Sequence, residues 1–504
     1  MNNAGWATRH RRLILCVGAG LIVSWYGILL GAYALVPALK RAVQARAVDV
    51  LRGEFGRDVR FQSFEVTFSP RVHIVASGVV VGNDTARPLI QAATADATSD
   101  LLPWHIRTLL LTGLSLHIPT AKGPGVTVPK PSFMLTIDQI VAEHAQLEIL
   151  PSAGLQSPLH FELTNLRVKN FSPARAADFR ALVVSSEPQA QIDISGRVGP
   201  WNANDPSATR LQGIFKMPIG DLATLPGLKG ALYSQGRFEG VVKCLEITGA
   251  AEAAEFGLGL SGHPEPLHAS FQASLDASDG SASIQQMNGL LRSSAFVATG
   301  SVRNIQDDRL RDIVLNVSLS HGRLEDVLPV AVKSKTSPIF GALRVRAKLE
   351  ILPGDQDILN RLRLDGDFAA VNAQFSSLNL RDRLRKVSRK AQGHPKDPAA
   401  GSSLSTMRGH VRLNNGTAEL SSLVFDLPGS SARLNGSYQL ASERLDLHGQ
   451  LFMDAKLSKT ARGPKAFLLK AADRHFRSKR GGSRVAVRIT GPRSDPRFGV
   501  GPGK

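Results

Sequence analysis

The chain has 504 residues, a formal charge of +19 and two cysteines, and it is 43% hydrophobic but only 6% aromatic. Two cysteines exclude a disulfide-stapled fold, all the more because Cys16 sits in an apolar segment far from Cys244; stability has to come from backbone pairing and burial. The positive excess points to an anionic neighbour, and for an exported chain that means lipid or glycan rather than nucleic acid.

Residues 13–36 read LILCVGAGLIVSWYGILLGAYALV and carry no charge. At about 1.5 Å per residue this run can cross a hydrocarbon core of roughly 30 Å. Arg9, Arg11 and Arg12 precede it; Lys40, Arg41 and Arg46 follow, so charge leans only slightly to an inside N-terminus. The reading is a cytoplasmic tail over 1–12 and a transmembrane anchor over 13–36. The alternative is a signal peptide cleaved near Ala32-Tyr33-Ala34, but the apolar run exceeds an ordinary signal core. Bulky Leu15 before Cys16 rules out lipidation there. Residues 37–58 form a linker, with a short helix expected over 37–52.

From residue 59 the period changes to two. Phe64, Val66 and Phe68 alternate with polar positions, and Val72, Ile74, Val79 and Val81 follow. Residues 101–104 have the look of one helical turn, and Gly113 marks a bulge or bend in the strand that follows. Ile192 and Ile194 share a face, as do Ile313, Leu315, Val317 and Leu319. Leu343, Val345, Ala347 and Leu349 oppose Arg344, Arg346, Lys348 and Glu350; Leu362, Leu364 and Phe368 oppose Arg363, Asp365 and Asp367. Period two places each apolar set on one sheet face. Asp279-Gly280, Asn288-Gly289, Asn415-Gly416 and Asn435-Gly436 are hairpin signals, because these residues tolerate positive φ. At roughly 12 residues per strand and turn, residues 59–375 hold about 26 strands, or on the order of 125 Å in single file.

Residues 376–404 break the pattern. Leu380, Leu384, Val387 and Ala391 fall on one helix face, with Arg381, Arg385, Lys386, Arg389 and Lys390 around the rest. A Pro/Gly/Ser-rich loop over 393–403 follows. Strands resume in a C-terminal β region, 405–504, with a second short helix over 464–476 and Val485, Val487 and Ile489 as a last strand.

The fold class is therefore mainly β with one N-terminal transmembrane helix: a long repetitive antiparallel sheet with a few short helices near the C-terminus. Two architectures fit the alternation. One is a series of β-sandwiches with ordinary cores; the other is a single curved sheet whose apolar face lines a groove.

Catalytic motifs are missing. Gly257-Leu258-Gly259-Leu260-Ser261-Gly262 matches a dinucleotide loop in letters only, since His263-Pro264-Glu265-Pro266 behind it cannot propagate the required helix. There is no phosphate-binding Gly-Lys-Ser/Thr loop and no Gly-x-Ser-x-Gly elbow. His73, His105, His117 and His160 lack metal-ligand spacing. Asp307-Asp308 and Glu325-Asp326 read as turn or helix-start residues. No enzyme, cofactor or metal site is expected.

The last hundred residues carry a resemblance. Asn414-Asn415-Gly416-Thr417-Ala418, Leu434-Asn435-Gly436-Ser437-Tyr438, Leu445-Asp446-Leu447-His448-Gly449, Phe467-Leu468-Leu469-Lys470 and Asp495-Pro496-Arg497-Phe498-Gly499 occur in an order that resembles the C-terminal region of the bacterial AsmA-like family. Leu324-Glu325-Asp326-Val327-Leu328 and Phe55-Gly56-Arg57-Asp58-Val59 resemble it more loosely. The resemblance implies a Gram-negative envelope protein, single-pass in the inner membrane with its bulk in the periplasm. It implies lipid handling between membranes or support of outer-membrane biogenesis, with phospholipid or glycolipid and envelope proteins as partners and no enzymatic activity.

On that reading the lipid-groove candidates are Val66, Phe68, Ile192, Ile194, Leu315, Val317, Val345 and Leu362. The alternative function is a scaffold or assembly factor with no lipid track. Residues 455–504 hold 14 Lys or Arg against Asp473 and Asp495. Arg474, Arg477, Lys479, Arg480 and Arg484, with the cations of 381–390, are the candidates for contact with an anionic membrane surface.

Overall fold

The structure is a computed structural model. It describes residues 59–456 and 482–501, apart from 69–70, 83, 85, 100–104, 121–135, 151–157, 187–188, 203, 260–262, 306, 335, 395–396 and 398–401, and also positions 41, 45 and 49. The anchor of 13–36, the turn at 101–104 and the helix at 464–476 lie outside the described residues. Of the linker helix, Arg41, Ala45 and Asp49 are helical. No helix among the described residues is long and apolar enough to cross a membrane.

The described chain is mainly β, with 26 strands hydrogen-bonded into one sheet. The first seven are β1 (Val59–Arg60), β2 (Ser63–Phe68), β3 (Val72–Val81), β4 (Ile90–Ser99), β5 (His105–Thr112), β6 (Leu114–Pro119) and β7 (Thr136–Leu150). Then come β8 (Leu159–Phe171), β9 (Ala177–Ser186), β10 (Gln189–Val198), β11 (Arg210–Asp221), β12 (Leu228–Lys229), β13 (Ala231–Val241) and β14 (Cys244–Leu258). The middle is β15 (Glu265–Asp276), β16 (Ser281–Leu291), β17 (Ser294–Ile305), β18 (Asp307–Arg323), β19 (Ile339–Ile351) and β20 (Leu362–Phe375). The end is β21 (Ser405–Asn414), β22 (Thr417–Leu427), β23 (Ser430–Gln439), β24 (Arg444–Met453), β25 (Ser483–Pro492) and β26 (Arg497–Gly501).

Most strands pair with the next in sequence. β1 and β2 share one edge of β3, β5 and β6 one edge of β4, and β12 and β13 one edge of β14. The strands therefore fill 23 positions across a single ribbon. At about 4.8 Å per step that is on the order of 105 Å. Residues 59–375 hold 20 of the strands rather than 26, because many run longer than the assumed pitch. β20 pairs with β21, so the sheet passes through the expected boundary at 376–404 unbroken. The expected last strand, β25, has β26 beyond it.

One step is parallel. β5 and β6 both run alongside β7 in the same direction. A parallel step needs a crossover of a dozen residues or more, and residues 120–135 supply it. Gly113, at φ +59, separates β5 from β6, as the bend expected there requires.

Glycines inside strands have a packing reason. A Cβ on Gly249 would lie 2.9 Å from Phe271 Cζ and 3.2 Å from Phe215 Cζ. A Cβ on Gly213 would lie 2.8 Å from Phe238 Cζ, and one on Gly289 would strike the Phe296 ring. Phenylalanine rings thus lie over bare backbone on the neighbouring strand. This corrects the turn reading of Asn288-Gly289, which lies within β16. Asn435-Gly436 also lies within a strand, β23, where Gly436 passes close to the backbone of Asp446. The other two signals are turns: Asp279-Gly280 joins β15 to β16 and Asn415-Gly416 joins β21 to β22. Asp307-Asp308 opens β18 instead of lying in a turn.

Register shifts recur on one side of the ribbon, for example between Ala190 and Asp193, Met217 and Gly220, Leu319 and Gly322, Ala370 and Ala373, and Leu420 and Leu423. Asn372 and Ser422 sit within two of these shifts at positive φ. Shifts at Thr98/Ser99 and Asn304/Ile305 lie at the other rim, but most of the bulges, which bend the strand and raise its local twist, gather at the first.

That rim also carries α1 (Leu324–Ala331), between β18 and β19, and α3 (Leu378–Ala391), between β20 and β21. The short α2 (Ile358–Arg361) lies on the opposite rim, yet its Ile358 N–H donates to Pro226 O in the turn between β11 and β12 on the first rim, so the ribbon coils until its two rims meet. α1 folds back over the sheet as far as β14 and β15. Leu324, Val327 and Leu328 pack there with Phe296, Leu319, Leu343, Val345 and Phe368. Asp326, 1% exposed, locks the helix start: it accepts from Ser293 Oγ at 2.6 Å and Ser294 Oγ at 2.7 Å, with Arg292 Nε at 3.7 Å. Glu325 accepts the Gly341 N–H at 3.0 Å. Both acids stand in the first turn, where the helix dipole favours negative charge.

Gly249→Val should drive a branched side chain into two rings and destabilise the sheet by about 1–3 kcal/mol. A lowered thermal unfolding midpoint, with β circular dichroism retained in the cold, is the expected readout; an unchanged midpoint would refute this packing account.

Candidate functional site

In a sheet, residues directly opposite each other on neighbouring strands point to the same side. Following partners from strand to strand therefore traces which side chains share a face. Starting at Val66, the pairing runs through Ile74, Ala97, Leu109, Ile140, Val168 and Phe179. It continues through Gly196, Gly213, Phe238, Ile247, Ala273, Ile284 and Gly300. It ends through Leu315, Leu349, Leu364, Leu413, Ala418, Tyr438, Leu445 and Gly491. This row crosses from β2 to β25 without a gap. Every member is apolar or glycine except Tyr438. Burial first, and the Glu443 carboxylate second, push the Tyr438 hydroxyl pKa up, so the row carries no charge at neutral pH.

A second row lies beside it on the same face. Phe64, Ala76, Ala95, Leu111, Ala142 and Leu166 lead to a bulge. Beyond it Ala181, Ile194, Phe215, Gly236, Gly249, Phe271, Met287 and Ala298 follow. Val317, Ala347, Gly366, Val411, Leu420, Gly436, Leu447, Ile489 and Phe498 complete it. It too is apolar or glycine throughout, and it ends on Phe498, 52% exposed on the last strand.

This face is not sealed. In the first row only Val66, Ala97, Phe238 and Leu413 are buried; the others, Leu315, Leu349 and Leu364 among them, stay half-exposed. A two-layer core would bury such positions nearly completely.

All the groove candidates lie on this one face, and exposure sorts them. Val66 is buried at 1%. Ile194 and Val345 pack onto buried clusters, Val345 beneath α1. Ile192, Leu315, Val317 and Leu362 are half-exposed and outside those clusters. Phe68 pairs with Val72, and its side chain lies outside the described residues. Alternation of large apolar residues did not reveal the glycines, nor Phe215, Phe238, Phe271 and Met287, as members of the same rows. A glycine two residues from a strand aliphatic, with a Phe one strand away, is the signal that finds them.

The opposite face is mostly polar and laced with cross-strand ion pairs, although Leu110, Val184, Ile214, Leu290 and Val297 are exposed on it. Arg412 Nε donates to Asp365 at 3.0 Å, and Arg488 holds Asp446 through both guanidinium nitrogens that reach it. The Arg488 hydrogen bonds keep the Asp446 pKa below the usual carboxylate value, so this pair persists at neutral pH and is lost only as acid protonates the carboxylate. The histidines join the same pattern: His73 faces Asp96, His105 faces Asp138, and His117 and His160 flank Glu148. Among the described residues no three His, Cys, Asp or Glu are grouped to hold a metal ion. Gly257 and Leu258 end β14 and open no helix.

Of the basic candidates, Arg381, Arg385, Lys386, Arg389 and Lys390 lie on α3 and Arg484 on β25; Arg474, Arg477, Lys479 and Arg480 lie outside the described residues. The Ala455 N–H donates to Ala391 O at 2.8 Å, so the chain after β24 leaves the sheet beside the end of α3.

Exposure predicts a contrast. Leu343→Ala should cost about 2–5 kcal/mol, the range for a buried leucine. Leu315→Ala, half-exposed in the row, should cost about 1 kcal/mol. Equal losses on thermal unfolding would mean that the row is an ordinary core. Compared with family models, curated proteins and solved structures, the chain matches none of them.

Proposed function

We propose that this protein handles or conducts lipid along the apolar face of its sheet, in a groove formed as the ribbon curves. The observation that carries the reading is the uncharged row from Val66 to Gly491, crossing 22 strand positions while staying largely half-exposed. Each acyl CH₂ kept from water is worth about 0.8 kcal/mol. A lipid that moved between separate sites would lose that stabilisation at every gap. A row without gaps and without charge lets a chain slide at nearly constant free energy. Backbone groups beneath it are already paired within the sheet, and the polar side-chain atom standing on the row is the buried Tyr438 hydroxyl.

The AsmA-like resemblance supports the same reading and adds its setting: an inner-membrane anchor at 13–36, the sheet in the periplasm of a Gram-negative cell, and a role in outer-membrane biogenesis without catalysis. A non-conducting scaffold is the second reading. It is favoured by α1, which covers Leu343 and Val345 and makes that part of the face a closed core.

The protein purified in mild detergent should carry phospholipid, detected by mass spectrometry, above the level of an unrelated single-span membrane protein. Leu315→Asp should reduce bound lipid several-fold while circular dichroism and unfolding temperature stay near wild type. Val345→Asp, beneath α1, should instead unfold the neighbourhood. Lipid at the control level, or lipid loss only in proportion to lost stability, would remove the conducting reading and leave the scaffold.

A further inference from the structure

We infer that α3 is a docking surface for an anionic lipid bilayer. This does not rest on the lipid-track reading; it follows from how one helix is placed. Leu380, Leu384, Val387 and Ala391 turn towards the sheet, and Ala391 is fully buried. Ser388 Oγ donates to Pro428 O at 2.8 Å, which pins the helix to the turn between β22 and β23. The apolar arc is therefore spent inside the protein, and the remaining arc faces solvent in a fixed orientation.

That outer arc is cationic. Arg383, Arg385, Lys386 and Lys390 are exposed, with Arg389 half-exposed between them. Asp382 is the one acid on the arc, and it is 3.6 Å from Arg385. Arg383, Lys386 and Lys390 make no ion pair among the described residues. On the sheet, by contrast, cations such as Arg412 and Arg488 face carboxylates on the next strand. A second observation narrows the occupant. Leu378, at the start of α3, is 69% exposed, and Leu404, just before the next strand, is 47% exposed. Leu378 stands in the first turn of the helix that carries the cations, and Leu404 on the segment that leads into β21. Cations with nearby exposed leucines match a bilayer interface, where headgroup phosphates meet the charge and the leucines enter the acyl boundary. An acidic polypeptide would satisfy the charge and leave the leucines in water.

The test uses the full chain kept in a non-ionic amphipol and floated with vesicles of phosphatidylcholine, with or without phosphatidylglycerol. Binding should require phosphatidylglycerol and fall as salt rises. The triple variant Arg383→Gln, Lys386→Gln, Lys390→Gln should weaken it about a hundredfold, at roughly tenfold or less per exposed charge. Leu378→Ser, which changes no charge, should weaken it several-fold. The control Arg344→Gln, Arg346→Gln, Lys348→Gln removes the same charge from the sheet and should bind as wild type. Equal loss in the two triple variants would reduce the effect to net charge and overturn the inference. So would binding to phosphatidylcholine alone, an unaffected α3 variant, or polyglutamate competing fully while Leu378→Ser has no effect.

Discussion

Everything in this molecule depends on register parity. A strand has two faces, and a slip of one residue exchanges them. Across 21 strand-to-strand steps the pairing never lets a charged side chain onto the apolar face along the Val66–Gly491 row. Charge on the other face helps to enforce this. A slip of β20 against β21 would separate Asp365 from Arg412 and turn Leu364 and Leu413 towards water. The ion pairs are exposed and individually weak, but they add a penalty to the same wrong register that the leucines already oppose.

Aromatic rings and glycines are the second constraint. With so few aromatics, the sheet places Phe215, Phe238, Phe271 and Phe296 over glycines on adjacent strands. The ring lies down where a Cβ is missing and so stays low above the sheet. A β-branched residue in the glycine's place would lift the ring and narrow whatever space the face encloses. Low relief and continuity thus have one source, which explains why glycine, usually a poor strand residue, recurs in strand interiors here.

The alternation of Leu315 with Asn316, or of Val345 with Arg344 and Arg346, was enough to read a one-sided sheet from the sequence, because period two is a local property. The turn at Asn415-Gly416 and the basic helix over 378–391 were legible for the same reason. Asn288-Gly289 was misread because its meaning depends on Phe296, a partner on the next strand. The parallel step from β5 and β6 to β7 was likewise hidden: direction is set by a crossover, and no local pattern records it. Which apolar residues would be sealed and which left half-exposed also could not be read. Leu343 and Leu315 look alike in sequence, and only the return of α1 over the sheet separates them.

Because nearly every strand pairs only with its chain neighbours, the ribbon behaves as a one-dimensional array, each unit held by the two beside it. Deleting one strand would join two that run the same way. Deleting a hairpin such as β15–β16 leaves β14 and β17 antiparallel and both apolar faces aligned. The length of such a molecule can therefore change only in steps of two strands, about 10 Å each. Like a tape cut at fixed marks, it can be fitted to a gap by adding or removing whole hairpins, with no redesign of the surface that runs along it.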